Sequence, residues 1–143
     1  MKHFFSSAII PSLAICLLTG ILAACASSKV QIPEDLTPMK IIQLAQEASD
    51  RNRYNTALQY YQTLQERNPD DDELVCNAEY EIAFIRYKQK KYAHAREQME
   101  DLLQRYNAPG AELLPPKFKV LAQKVLEQIN EKENKHRRKR SSS

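Results

Sequence analysis

A chain of 143 residues with 43% hydrophobic and 27% charged side chains has room for one domain of ordinary soluble composition. Gly20 and Gly110 are its two glycines, which excludes glycine-rich phosphate loops and argues against sheets that need many tight turns. The formal charge of +3 comes from the carboxyl end, where Lys132, Lys135, Arg137, Arg138, Lys139 and Arg140 crowd together and leave the rest near neutral or slightly acidic.

Met1-Lys2-His3 is a short basic start, and Phe4 to Ala24 is apolar and uncharged. This is the pattern of an export signal, residues 1–24, with no charged stop-transfer flank after it. It closes on Leu22-Ala23-Ala24-Cys25, which resembles the bacterial lipobox. The resemblance implies cleavage between Ala24 and Cys25, a diacylglycerol on the Cys25 thiol and an acylated amino group. Two buried chains suffice for stable anchoring where one is marginal. The other reading is an ordinary secretory signal cut at Ala-x-Ala with an incidental cysteine. No aspartate follows Cys25, which by resemblance to enterobacterial sorting favours the outer membrane. Residues 25–36, rich in Ser, Gln, Pro and acids, read as a tether able to span roughly 30 Å if extended. Cys16 falls in the leader, so Cys76 is the remaining thiol and no internal disulfide is expected in the mature domain. Cys76 reads as a small core residue.

Thr37-Pro38 supplies an N-cap and a proline for a first helix, running to about Asp50. A second is expected from Tyr54 to Arg67, ended by Asn68-Pro69. Asp70 to Glu73 cap a third, reaching about Gln89, and a fourth runs from Tyr92 to about Tyr106. Pro115-Pro116 opens a fifth, which fades into charge near Glu133. No strand-like alternation is visible. The third helix has two apolar stripes: Leu74, Ala78, Ile82 and Ile85, then Tyr80, Phe84 and Tyr87. A helix of that kind touches neighbours on both sides or offers one stripe to a ligand.

The elements repeat. Leu44-Ala45, Ile82-Ala83 and Leu121-Ala122 recur at steps of 38 and 39 residues, and Tyr54-x-x-Ala57 returns as Tyr92-x-x-Ala95 after 38. Two helices per unit of this length predict a helical solenoid. Asn52 through Pro69, with Tyr61 and the closing Pro69, resembles the second half of the tetratricopeptide repeat. Gln89 through Leu103 resembles it again, with Met99 in the aromatic's place. The chain departs from that pattern where Asn52 and Lys90 replace the turn glycine, where no proline closes near Asn107, and where the repeats exceed the usual length of about 34 residues. Together with the lipobox, the phrase Asn77 to Ala83 followed by Tyr92-x-x-Ala95 resembles the BamD/YfiO lipoproteins of outer-membrane β-barrel assembly, in a version with about half that family's repeats. The expected fold is all-α: a short tetratricopeptide-like solenoid of five helices, two hairpins and a capping helix, over residues 37–131. A basic disordered tail is expected over 132–143.

No catalytic constellation is present. There is no Cys-x-x-Cys, His-Glu-x-x-His or Gly-x-Ser-x-Gly, and His94 stands alone. No cofactor or metal is expected; Asp70 to Glu73 lack the alternation and glycine of a calcium loop. In the tetratricopeptide family the first helix of each hairpin lines a groove. That resemblance implies a partner site formed by Ile42 and Gln46, by Tyr80, Phe84 and Tyr87, and by Gln123, with Met39, Ser49, Asn77, Lys119 and Leu126 projecting the same way. Such a groove suits an extended or helical peptide. Phe84 fits the groove or the core equally. The hydroxyls of Tyr80 and Tyr87 favour the groove. The expected role is a non-enzymatic scaffold lipoprotein on the periplasmic face of the outer membrane, binding a protein of the β-barrel assembly machinery. A pilotin-like or peptidoglycan-linked adaptor is the alternative, and a cell-wall enzyme is disfavoured. The basic tail suits anionic lipid or an acidic partner face rather than nucleic acid, and a purely solubilising role fits it as well as either.

Overall fold

A computed structural model describes residues 29–142, so the apolar leader and Cys25 lie outside the described residues. α1 (Pro38–Asp50) starts where Thr37 Oγ1 accepts from the Lys40 N–H and Pro38 takes the first helical position. α2 (Tyr54–Arg67) follows after a tight turn. α3 (Asp72–Lys88) is capped by Asp71, whose carboxylate accepts from the Leu74 N–H, and carries Asp72 and Glu73 at its positive end. α4 (Tyr92–Arg105) leads to a short 3-10 turn at Ala111–Leu113 and then to α5 (Pro116–Ser141). Gly110 enters the 3-10 turn in the left-handed region, at φ 86°. Among the described residues there is no strand. The architecture is the expected all-α one, two antiparallel hairpins and a fifth helix stacked as a short solenoid.

Both hairpin turns close in one way. The Arg53 N–H donates to the Ala48 carbonyl and the Lys91 N–H to that of Arg86. This geometry needs a left-handed residue just before the donor, and Asn52 (φ 57°) and Lys90 (φ 61°) supply it. Asparagine tolerates that region; lysine carries the steric cost of its Cβ. Lys90→Gly is therefore expected to stabilise the fold by about 0.5–1 kcal/mol, after discounting the extra freedom glycine gives the unfolded chain. The midpoint of urea or thermal unfolding reads it, and Asn52→Gly should move that midpoint less.

α3 belongs to two cores. Ala78 and Ile85, flanked by Leu74 and Ile82, pack with Ile41, Ala45, Ala57, Tyr61 and Leu64 of the first hairpin. Cys76, Tyr80 and Ala83 pack instead with Ala95, Met99 and Leu102 of α4 and with Phe118, Ala122, Val125 and Ile129 of α5. The two apolar stripes thus point at two clusters. Ala45, Ala57, Ala83 and Ala95 are fully buried, and their small side chains are what let neighbouring helices approach.

Two expectations change. Residues 132–143 are not a disordered tail as far as the structure describes them, because α5 stays helical to Ser141 with every side chain past Asn130 exposed. Extending an existing helix is cheap, the Lys, Arg and Glu side chains there are good helix formers, and the basic last turn complements the helix dipole. Residues 29–36 are not a free tether either. The Val30 N–H donates to Gln59 Oε1 (2.7 Å), and the Arg67 guanidinium donates to the carbonyls of Ile32 (2.9 Å) and Pro33 (2.8 Å). The segment is strapped along α2. Ile82 packs against the first core and is half-buried, so that it also borders a cleft.

Candidate functional site

The middle of α3 carries a ladder of rings. Tyr80 and Phe84 stack with centroids 5.7 Å apart and planes 11° apart, and Phe84 and Tyr87 follow at 5.9 Å and 14°. The spacing arises because i, i+4 and i+7 fall on one side of a helix. Other elements extend the ladder at both ends. Phe118 of α5 tilts against Tyr80 at 6.1 Å, and Tyr92 of α4 meets Tyr87 at 5.7 Å. Lys88 borders it: its Nζ donates to Ser49 Oγ of α1 and sits 5.3 Å from the Phe84 ring centroid and 5.8 Å from that of Tyr54. A cation over a ring face is drawn to the ring quadrupole. Glu81 lies close by; burial raises its carboxyl pKa above the usual range, Lys88 opposes the rise and Asp50 adds to it.

Exposure divides the expected groove residues. Tyr80 is core, 9% exposed, because α5 brings Phe118 over its ring; burial first, then Glu81, pushes its phenol up to about 12. Its assignment to an open groove is corrected on that ground. Ile42 is also core, packed in the α1–α2 cluster. Phe84 and Tyr87 are half-buried and present part of their rings to solvent. Gln46 is exposed one turn before Ser49, the residue that holds Lys88, and so flanks the ladder. Gln123 is exposed too, but five residues past Phe118 it points about 140° around α5 from the ring contact. The parts that sequence reasoning missed are Lys88, Glu81, Tyr92 and Phe118. The last two come from other helices, so no local period announces them.

A second concavity lies between α2, α3 and α4. It is a cleft of about 350 Å³ bordered by Gln65, Glu79, Ile82, Gln98 and Asp101. Arg105 closes it, bonded at 2.8 Å to Glu79 and at 2.8 Å to Asp72. Burial works against the Arg105 charge, but the Glu79 hydrogen bond and charge outweigh it, so its pKa goes up. A cation held by two acids in this way ties α4 to α3. Cys76 is fully buried and free, and burial pushes its thiol pKa up, which makes it a packing residue rather than a nucleophile. Among the described residues no group of three His, Cys, Asp or Glu side chains is placed to hold a metal ion, and no helix is long and apolar enough to cross a membrane.

Comparison with known proteins finds similarity to a protein of Treponema pallidum (strain Nichols) described as an uncharacterized protein. The two are 37% identical over 99 residues, which cover 68% of this chain and 40% of that protein. The chain therefore spans well under half of that relative's length. No family model matches the chain, and no solved structure matches it.

Proposed function

We propose that the chain is a membrane-anchored, non-enzymatic adaptor that binds a protein partner on the ring ladder of α3, in the service of outer-membrane β-barrel assembly. The observation that carries the binding part is the half-exposure of Phe84 and Tyr87 within a stacked series. Half-buried aromatic residues beside a lysine and a carboxylate favour an amphipathic peptide, whose aliphatic side chains pack on the exposed parts of the ladder while its polar edge meets Lys88 and Glu81. Anchoring rests on the Leu22-Ala23-Ala24-Cys25 phrase. The assembly setting rests on the resemblance of the repeats and lipobox to the BamD/YfiO lipoproteins.

Cross-linking from position 87 in intact membranes tests the reading. The barrel-inserting component is expected in the adduct, and Phe84→Ala should lose most of it in a chain whose unfolding curve shows it still folded at the assay temperature, since Phe84 also packs against the second core. Depletion should lower outer-membrane barrel proteins. Unchanged barrel proteins, with a secretin or a peptidoglycan-linked complex in the adduct, would move the adaptor to that other setting.

A further inference from the structure

The antiparallel order puts four helix ends and the far end of α5 on one side of the molecule. These are the ends of α1 and α3, the starts of α2 and α4, and the last turns of α5. Side-chain contacts confirm the alignment: Lys88 reaches Ser49, and Arg96 near the start of α4 reaches Asn130 (2.8 Å) and Glu133 (2.8 Å) of α5. The charges on this side are mainly basic. The α1–α2 turn is near balance, with Arg51 and Arg53 against Asp50 and against Glu47, which pairs with Arg51 at 3.7 Å, so the excess lies in the other two elements. The α3–α4 turn, residues 86–94, has Arg86, Lys88, Lys90 and Lys91 and no acid. Past the Arg96 contact α5 continues for about 12 Å at 1.5 Å per residue and carries the basic run ending at Arg140. Glu133, the one acid of that run, is taken up by Arg96. The opposite side holds Asp70 and Asp71 in the α2–α3 connection and Asp72 and Glu73 at the start of α3, the last two paired with Arg105 and Lys117.

The strap points to the basic side. It runs parallel to α2, from Gln59 in the first half of that helix to Arg67 at its end, so Lys29 leaves toward the starts of α2 and α4. From Val30 back to Cys25 is five residue steps, at most about 18 Å of chain. We infer that the basic end of the solenoid, formed by the α1–α2 and α3–α4 turns and the last turns of α5, lies against an anionic membrane surface. The inference deepens the anchored reading and takes its orientation from it; the charge distribution stands without it. A short leash and a mainly basic face at the same end hold the ring ladder of α3 upright, with its α2–α3 end away from the bilayer. Lysines and arginines brought within a Debye length of an anionic leaflet are attracted to it, and salt screens the attraction.

Lysine acetylation of the full mature chain, read by mass spectrometry, tests this without altering a residue. The chain is placed in vesicles of phosphatidylcholine alone and of phosphatidylcholine mixed with phosphatidylglycerol. Lys90, Lys91, Lys132 and Lys135 are expected to react several-fold more slowly on the anionic vesicles, and the protection should vanish in molar salt. Lys40 and Lys117, at the other end, should react alike on both. Equal reactivity of the four on both vesicles would overturn the inference, and so would protection at Lys40 and Lys117. Protection by duplex DNA or an acidic protein with none by vesicles would overturn it as well. The amino-terminal peptide in the same digest reports lipid on Cys25 separately. A chain without that lipid, added to anionic vesicles, must still show the pattern, so failure of the anchor and failure of the surface are different results.

Discussion

Tyr61→Phe is expected to raise stability by about 1–3 kcal/mol, while Tyr61→Ala at the same position should cost about 3–5 kcal/mol. The ring is wholly buried between α1, α2 and α3, so deleting it leaves a cavity in the first core. The hydroxyl is buried as well and has no hydrogen-bond partner among the described residues. Removing a buried donor that is already unpaired recovers its desolvation penalty and sacrifices no bond. For a domain of this size each kcal/mol moves the thermal midpoint by about 4–8 °C, so the two variants should separate widely. Alkaline titration supplies a second check. Burial, with Glu81 and Asp50 adding to it, raises the phenol above its ordinary 10.0 in the folded state. From that ordinary value upward the unfolded chain loses the proton first, so stability falls as pH rises. The phenylalanine variant should lack that part of the fall. A phenylalanine variant less stable than wild type would mean that the hydroxyl has a partner.

Helix positions were legible in the sequence because their signals are local. Thr37-Pro38, Asp71 and the left-handed Asn52 and Lys90 each act within one turn of chain, and the repeat of Tyr54-x-x-Ala57 as Tyr92-x-x-Ala95 shows the unit. The two stripes of α3 also survived, since a stripe needs only a period. What failed depends on partners distant in sequence. Tyr80 is core because Phe118, from another helix, covers it, and Ile42 is core because α2 closes over it. The strap on α2 is held through backbone carbonyls, which leave no mark on residue type. The last turns of α5 touch no core and so show no apolar period, yet they follow from a nucleated helix and good helix formers. The candidate site was accordingly half-legible: Phe84 and Tyr87 from the period, Lys88 and Tyr92 only from the fold.

Cys25→Ser is expected to remove most of the chain from the outer-membrane fraction, leaving it soluble, unprocessed or mislocalised. The residue lies in the lipobox-like phrase ahead of the strap. Two acyl chains provide stable anchoring, at about 0.8 kcal/mol per buried methylene, whereas a charged face provides reversible attraction that ions screen. A salt wash separates the two contributions. Wild-type chain should stay in the outer-membrane fraction through a molar salt wash; processed variant that clings to membranes by the Lys90, Lys91 and α5 cations should wash off. Precursor that keeps its apolar leader should sediment with the inner membrane and show an uncut amino terminus by mass. Because the strap fixes residues from Val30 onward to α2, the folded domain should unfold at the wild-type midpoint, so relocation would reflect the lost lipid and not a damaged fold. Variant retained in the outer-membrane fraction like wild type after the wash would show that Cys25 carries no anchor.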